Sequence, residues 1–182
     1  MAKHVCPWWL AYAFDNPLRR LFHRPEEMFA PYLKEGMTAI DLGCGMGYFS
    51  ISMARMVGES GKVLSVDLQQ QMLDTLMQRA TKAGVASRIT PLLCDASTIC
   101  HHDEVDFALA FWMAHETPDE FNFLTQVQAI LKKSGKLLLA EPKLHVAGGE
   151  FQKTLRIAHE IGFKHLGSPL ISLSHAALFA KQ

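Results

Sequence analysis

The sequence has no excess of charge. Eighteen Lys and Arg are matched by eighteen Asp and Glu among 182 residues, so the formal net charge is zero. Nucleic-acid-binding surfaces rest on a basic excess or stripe. Neither is present, so a small-molecule substrate is expected and nucleic acid is not. Cysteine is scarce too: the four, at 6, 44, 94 and 100, form no CxxC pair and no disulfide-scaffold density. Reduced thiols and a cytoplasmic location are the expectation. No apolar run reaches the roughly 20 residues that cross a bilayer. The longest early run, Cys6–Phe14, is followed at once by Asp15 and shows no small-residue cleavage site. There is no HExxH, and Glu116, Glu141 and His145 lack the tight spacing of a metal site, so no metal is expected. Repeats and low-complexity tracts are missing as well.

What is there fits one domain over residues 1–182, 49% hydrophobic and 20% charged. Residues 1–23 read as an aromatic N-terminal extension. Pro25-Glu26-Glu27 has the composition of a first helical turn, and the helix is expected to run to Gly36. Beyond it, apolar strands alternate with amphipathic helices. Strands are expected at 37–42, 62–66, 89–93, 105–111 and 136–140, and helices at 48–57, 69–83, 118–131 and 150–161. Two β-like runs in 164–181 have no helix between them and predict a hairpin. Strands joined by helices make parallel, right-handed βαβ units. The expected fold is therefore α/β: a Rossmann-like, doubly wound sheet, mostly parallel, with one antiparallel strand near the C-terminus.

Asp41-Leu-Gly-Cys-Gly-Met-Gly47 falls where the first strand gives way to a helix. Ligands of such sheets lie outside the carboxyl ends of the strands. Glycines there allow a tight turn and close approach to bare backbone, and the helix N-terminus offers unpaired N–H groups. The dinucleotide pattern GxGxxG, counted from Gly43, requires glycine at 48; this chain has Tyr48, with Gly47 before it. That disfavours a nicotinamide oxidoreductase. Asp67 closes the second strand 26 residues after Asp41, where a carboxylate can accept from both ribose hydroxyls, though Asp is also a good helix cap. Asp95 follows the third strand and can accept from an adenine amino group, or simply shape a turn.

Asp41–Gly47, Val66-Asp67, Cys94-Asp95-Ala96 and Asp106–Phe111, in that order, resemble the motifs of class I S-adenosylmethionine-dependent methyltransferases. Within that class the resemblance is to small-molecule enzymes of the ubiquinone/menaquinone and arsenite methyltransferase type. The resemblance covers roughly residues 25–182 and implies a seven-stranded sheet with S-adenosylmethionine as cofactor. It implies that Gly43, Gly45 and Gly47 pass under the methionine part and that Asp41 lies near its amino group. Asp67 would take the ribose, and Asp95 with Ala96 the adenine. Cys44, Leu68 and Phe111 complete the expected cofactor contacts.

Methyl transfer from a sulfonium is an in-line displacement with an activated leaving group, so the protein mainly positions the acceptor and excludes water. A base is needed only if the acceptor must lose a proton. Phe111–Glu116 and Ala140–His145 end the fourth and fifth strands. They supply His115 and Glu116 as candidate bases, since His titrates near neutrality, and Lys143 as a candidate anchor for an anionic substrate. Equally, Glu116 can cap the next helix, while Lys143 and His145 can be solvated loop residues. Trp8, Trp9 and Tyr12 either wall the substrate pocket as a lid or complete the core or a homodimer interface. Cys6 invites thiol chemistry, but Cys44, Cys94 and Cys100 lie on the cofactor side and assemble no thiol set. The alternative to an enzyme is a non-catalytic S-adenosylmethionine-binding module that uses its Trp-rich segment as an interface.

Overall fold

The computed structural model describes residues 19–181. Trp8, Trp9, Tyr12 and most of the 1–23 extension lie outside the described residues. Two short helices, α1 (Arg19–Phe22) and α2 (Pro25–Phe29), lead into β1 (Thr38–Leu42) and α3 (Tyr48–Met56). Then come β2 (Lys62–Asp67), α4 (Gln70–Lys82), β3 (Ile89–Leu93) and β4 (Val105–Phe111). The chain continues through α5 (Glu120–Ile130), β5 (Leu131–Pro142), α6 (Gly148–Ile161), β6 (Phe163–Gly167) and β7 (Ser174–Lys181). The seven strands form one sheet in the order β3-β2-β1-β4-β5-β7-β6. All neighbours are parallel except β7, which is antiparallel to both β5 and β6. This is the Rossmann-like sheet expected above, including its single reversed strand.

The sheet is buried on both faces, as parallel strands covered by helices must be. Alternation along β1 sends Ile40 and Leu42 to the face packed by α5 and α6, with Leu64, Val66, Leu124, Val127 and Phe151. Ala39 goes to the opposite face, with Phe49, Met53, Leu73, Leu76 and Phe107 from α3, α4 and β4. By the same period of two, Asp41 belongs to the α3 side. The chain winds from β1 outward through β2 and β3, then returns to β4 on the other side of β1. That reversal opens a crevice at the carboxyl ends of β1 and β4.

Two elements differ from expectation. The helix after Pro25 stops at Phe29 instead of running to Gly36. Pro31 has no N–H to offer the carbonyl of Glu27, and Tyr32 and Leu33 both donate to the Phe29 carbonyl as the chain turns. The fifth strand begins at Leu131, directly after α5, not at Lys136. Leu131 pairs with Val105, and an irregularity then resets the register so that Phe107 meets Lys136. Asp119, not Glu116, caps α5 by accepting the N–H of Asn122 at 3.0 Å.

Candidate cofactor site

The crevice encloses a cavity of about 220 Å³. Its floor is the β1–α3 loop, with Gly43 and Gly45. Gly45 has φ +53°, and a side chain built there would project into open space, so this position presents bare backbone to the cavity. Asp67 holds the loop in place: its Oδ2 accepts the N–H of Gly45 at 2.9 Å and its Oδ1 accepts the N–H of Gln69 at 2.9 Å. The carboxylate that closes β2 therefore braces the glycine turn, starts the β2–α4 loop and lines the cavity. Burial pushes its pKa up, against the opposing effect of those backbone hydrogen bonds.

The far wall is the 95–99 loop. Asp95 Oδ1 accepts both the N–H and the hydroxyl of Ser97, at 2.7 and 2.6 Å, which holds its carboxyl below the usual range. Two residues of α5 pin this loop. Gln126 accepts the N–H of Ile99 at 2.8 Å and donates to the Ser97 carbonyl at 2.8 Å, and Asn122 donates to the same carbonyl at 3.1 Å. Both lie on the cavity wall, one helical turn apart, as residues i and i+4 on one face. Leu68 and Ala96 also line it.

The third wall runs from Trp112 to Asp119. Trp112 has φ +58°, uncommon outside glycine. It is fixed by donating its N–H to the Ala140 carbonyl at 2.8 Å and its Nε1–H to Ser174 Oγ at 2.9 Å. Glu116 lines the cavity on this side. His115 does not; its ring turns toward the end of β5, where Nδ1 lies 2.5 Å from Glu141 Oε2.

Other expected contacts lie off the wall. Asp41 is 1% exposed and turned to α3, as the strand alternation requires, and Ser50 Oγ donates to it at 2.5 Å. Cys44 and Phe111 belong to the core on that same face, with Phe111 stacked on Trp112 and tilted against Phe49. Gly47 leaves room for Leu76 of α4, whose Cδ1 would lie 2.0 Å from an added Cβ. Lys143 is exposed in the loop after β5, its N–H donating to the Leu173 carbonyl. Sequence reasoning missed Trp112, Asn122, Gln126 and the pairing of His115 with Glu141. Only the Asn122/Gln126 spacing carried a signal that local pattern reading could have used.

Two predictions arise here. Burial raises Asp41 to about 7, with the Ser50 hydrogen bond only partly opposing it. Between pH 4 and 7 the folded chain thus keeps a proton that the unfolded chain has released, so this group makes stability fall as pH rises through that window. The slope is at most about 1.4 kcal/mol per pH unit. Denaturant titrations at several pH values should show this fall, and Asp41→Asn should flatten it. Cysteine reactivity gives the second prediction. Burial pushes the Cys94 thiol up to about 12 and Cys44 well above its ordinary value, whereas Cys100 is exposed. Iodoacetamide at pH 8 is expected to label Cys100 on the order of a hundredfold faster than Cys44 or Cys94. Peptide mass spectrometry checks this, and equal labelling in the folded state would contradict it.

The cavity is lined by four carboxylates, Asp67, Asp95, Glu116 and Asp119, and by no Lys, Arg or His among the described residues. Its apolar walls (Leu42, Val66, Met72, Ile99, Met113 and Phe123) suit a flat base and a thioether chain. Such a site fits a cationic, ribose-bearing ligand and disfavours a pyrophosphate. Fold and site together define the S-adenosylmethionine-binding class of methyltransferase folds. The family described as "Methyltransferase domain" matches residues 33–167, and the chain belongs to that family. S-adenosylmethionine is the cofactor that this membership and the cavity imply.

The chain is 30% identical over 110 residues to a demethylmenaquinone methyltransferase of Lactobacillus johnsonii, covering 60% of this chain and 45% of that protein. It is 32% identical over 111 residues to a ubiquinone/menaquinone biosynthesis C-methyltransferase of Cellvibrio japonicus, covering 60% and 44% respectively. The chain thus spans less than half the length of these curated relatives. Its fold is shared with a crystal structure of a SAM-dependent methyltransferase from Aquifex aeolicus, at TM-score 0.86, 24% identity and coverage of 97% and 98% of the two chains.

Proposed function

We propose that the chain transfers the methyl group of S-adenosylmethionine to a small-molecule acceptor. The observation that carries this reading is the cavity itself, where carboxylates ring a glycine floor at the sheet's switch point with no cation on its walls among the described residues. In this reading Gly43 and Gly45 underlie the methionine part, Asp67 accepts from the ribose and Asp95 with Ala96 meets the adenine. Leu68 packs beside the base. Asp41, through Ser50 of α3, steadies the helix whose N-terminus faces the ligand. Bound S-adenosylmethionine supplies an electrophilic methyl on a neutral leaving group; the chain's residues orient the acceptor and exclude water. In this reading Glu116, on the cavity wall, and His115, on the same turn, are the candidate bases, and Lys143, exposed in the loop after β5, draws anionic acceptors.

Residues 1–182 act as one domain, with 1–23, including Trp8, Trp9 and Tyr12, closing over the acceptor or joining two copies in a homodimer. The balanced charge favours a small acceptor over nucleic acid. No helix among the described residues is long and apolar enough to cross a membrane, and the thiol pattern favours the cytoplasm. The test is a metabolite panel read out as S-adenosylhomocysteine release, beginning with demethylmenaquinone and related quinols because the relatives' names point there. Turnover is expected for at least one. Tight S-adenosylhomocysteine binding with no turnover across the panel would establish the binding-module alternative.

A further inference from the structure

Cys94 and Cys100 bracket the far wall of the cofactor cavity. Neither lines it, but each of the five residues between them, Asp95 to Ile99, does. The spacing is not that of a CxxC pair, yet the fold closes it. Cys94 Sγ accepts the backbone N–H of Cys100 at 3.1 Å. Burial, and then a hydrogen bond with the Cys100 thiol, push the Cys94 thiol up to about 12. The two sulfurs differ in access: Cys94 is buried in the core, whereas Cys100 is exposed. The ends of the loop are fixed. Cys94 donates its N–H to the Asp67 carbonyl at 3.1 Å, and the buried Ile99 donates to Gln126. Asp95 to Thr98, between these anchors, are exposed and are tied to Asn122 and Gln126 through the Ser97 carbonyl.

We propose that Cys94 and Cys100 form a reversible disulfide under a hydroperoxide, and that this bridge weakens cofactor binding by displacing the 95–99 wall. The second half rests on the reading above, in which that wall meets the adenine. Access sets the order of events. The exposed Cys100 sulfur attacks hydrogen peroxide; its S–O bond forms as the O–O bond breaks, leaving a sulfenic acid and one water. Cys94, beside it, then attacks the same sulfur. The S–S bond forms, the S–O bond breaks with its electron pair on oxygen, and a second water leaves with the Cys94 proton. Two thiols are thus oxidised and one peroxide is reduced to two waters. A dithiol reverses the bridge by exchange and becomes a disulfide itself. Bonded sulfurs lie closer than van der Waals contact. Closure therefore draws Cys100 toward the end of β3 and away from the Thr98 carbonyl, which its thiol now faces at 3.9 Å. With Cys94 held by β2 and Ile99 in the core, the displacement falls on Asp95 to Thr98, the part of the wall nearest solvent.

The test treats the intact chain with hydrogen peroxide and maps its peptides without reductant. A Cys94–Cys100 bridge is expected. No bridge between these two, or one that joins either to Cys6 or Cys44 instead, overturns the proposal. Titration with S-adenosylhomocysteine then compares the reduced, oxidised and re-reduced protein. The oxidised form should bind about 10-fold more weakly, the equivalent of roughly one hydrogen bond, and dithiothreitol should restore the affinity. Equal affinity in a fully bridged sample counts against the proposal just as decisively. Cys100→Ser alters an exposed side chain off the cavity wall. This variant should bind like the reduced wild type and no longer respond to peroxide. A response that persists in it would trace the effect to other oxidised side chains and sink the idea. If the reduced wild type fails to bind S-adenosylhomocysteine, the cofactor-site reading itself falls. A reduced form that binds, with no bridge after oxidation, removes this proposal alone.

Discussion

Asp67→Ala is expected to weaken S-adenosylhomocysteine binding by about 100-fold. Two effects combine. The variant removes an acidic acceptor for the ribose hydroxyls, and charge-assisted hydrogen bonds contribute roughly 1.5–3 kcal/mol. It also strips the Gly45 and Gln69 N–H groups of their partner, which loosens the glycine floor. Asp67→Asn keeps one acceptor oxygen and should lose less, about 10-fold. Because burial raises the Asp67 pKa, affinity in the wild type should also decline as pH falls toward that raised value, where the carboxylate takes up a proton. Isothermal titration at neutral and mildly acid pH measures both effects. Wild-type affinity in Asp67→Ala would reduce this residue to a brace for the loop.

Gly47→Ala should act on stability instead. The backbone there has φ +84°, and an added Cβ would lie 2.0 Å from Leu76 Cδ1 and 3.2 Å from its Cγ. Leu76 is fully buried and cannot swing aside into solvent. Left-handed strain costs roughly 1–2 kcal/mol and overpacking about 1–3 kcal/mol. The expected loss is thus about 2–5 kcal/mol, a Tm drop on the order of 10 °C at this chain length. Gly45→Ala provides the contrast. Its methyl would meet nothing in the protein but would occupy ligand space, so it should weaken cofactor binding with a smaller loss of stability. If both variants melted alike and bound alike, the division of labour between the two glycines would be wrong.

These two glycines show what local pattern reading can and cannot resolve. The motif from Asp41 to Gly47 marked the strand-to-helix turn that floors the cavity, because a strand end, three glycines and a helix start are contiguous in sequence. Which glycine faces the cavity and which faces a neighbouring helix depends on where Leu76, some thirty residues away, is packed. Asp41 was legible in principle. Ala39 and Asp41 alternate with Ile40 and Leu42, so the acid had to share a face with Ala39, away from the cavity. The sheet was readable because each βαβ unit announces itself through apolar periodicity and turn residues. The early end of α2 was readable too, at Pro31. Trp112's left-handed backbone was not, since it is imposed by Ala140 and Ser174 on other strands. Nor was the pairing of His115 with Glu141, which joins residues 26 apart at the ends of adjacent strands.

The same distinction applies to the choice of ligand. Tyr48 in place of a third glycine argued against dinucleotides only weakly, since motifs admit exceptions. The assembled cavity argues more strongly, because a pyrophosphate would sit among Asp67, Asp95, Glu116 and Asp119 without a cation on the wall among the described residues. Isothermal titration of the intact chain with S-adenosylhomocysteine and, separately, with NAD tests this most directly. Micromolar or tighter binding of S-adenosylhomocysteine, with no heat from NAD, is the predicted result. Tight NAD binding, or no binding of S-adenosylhomocysteine by the folded protein, would contradict it.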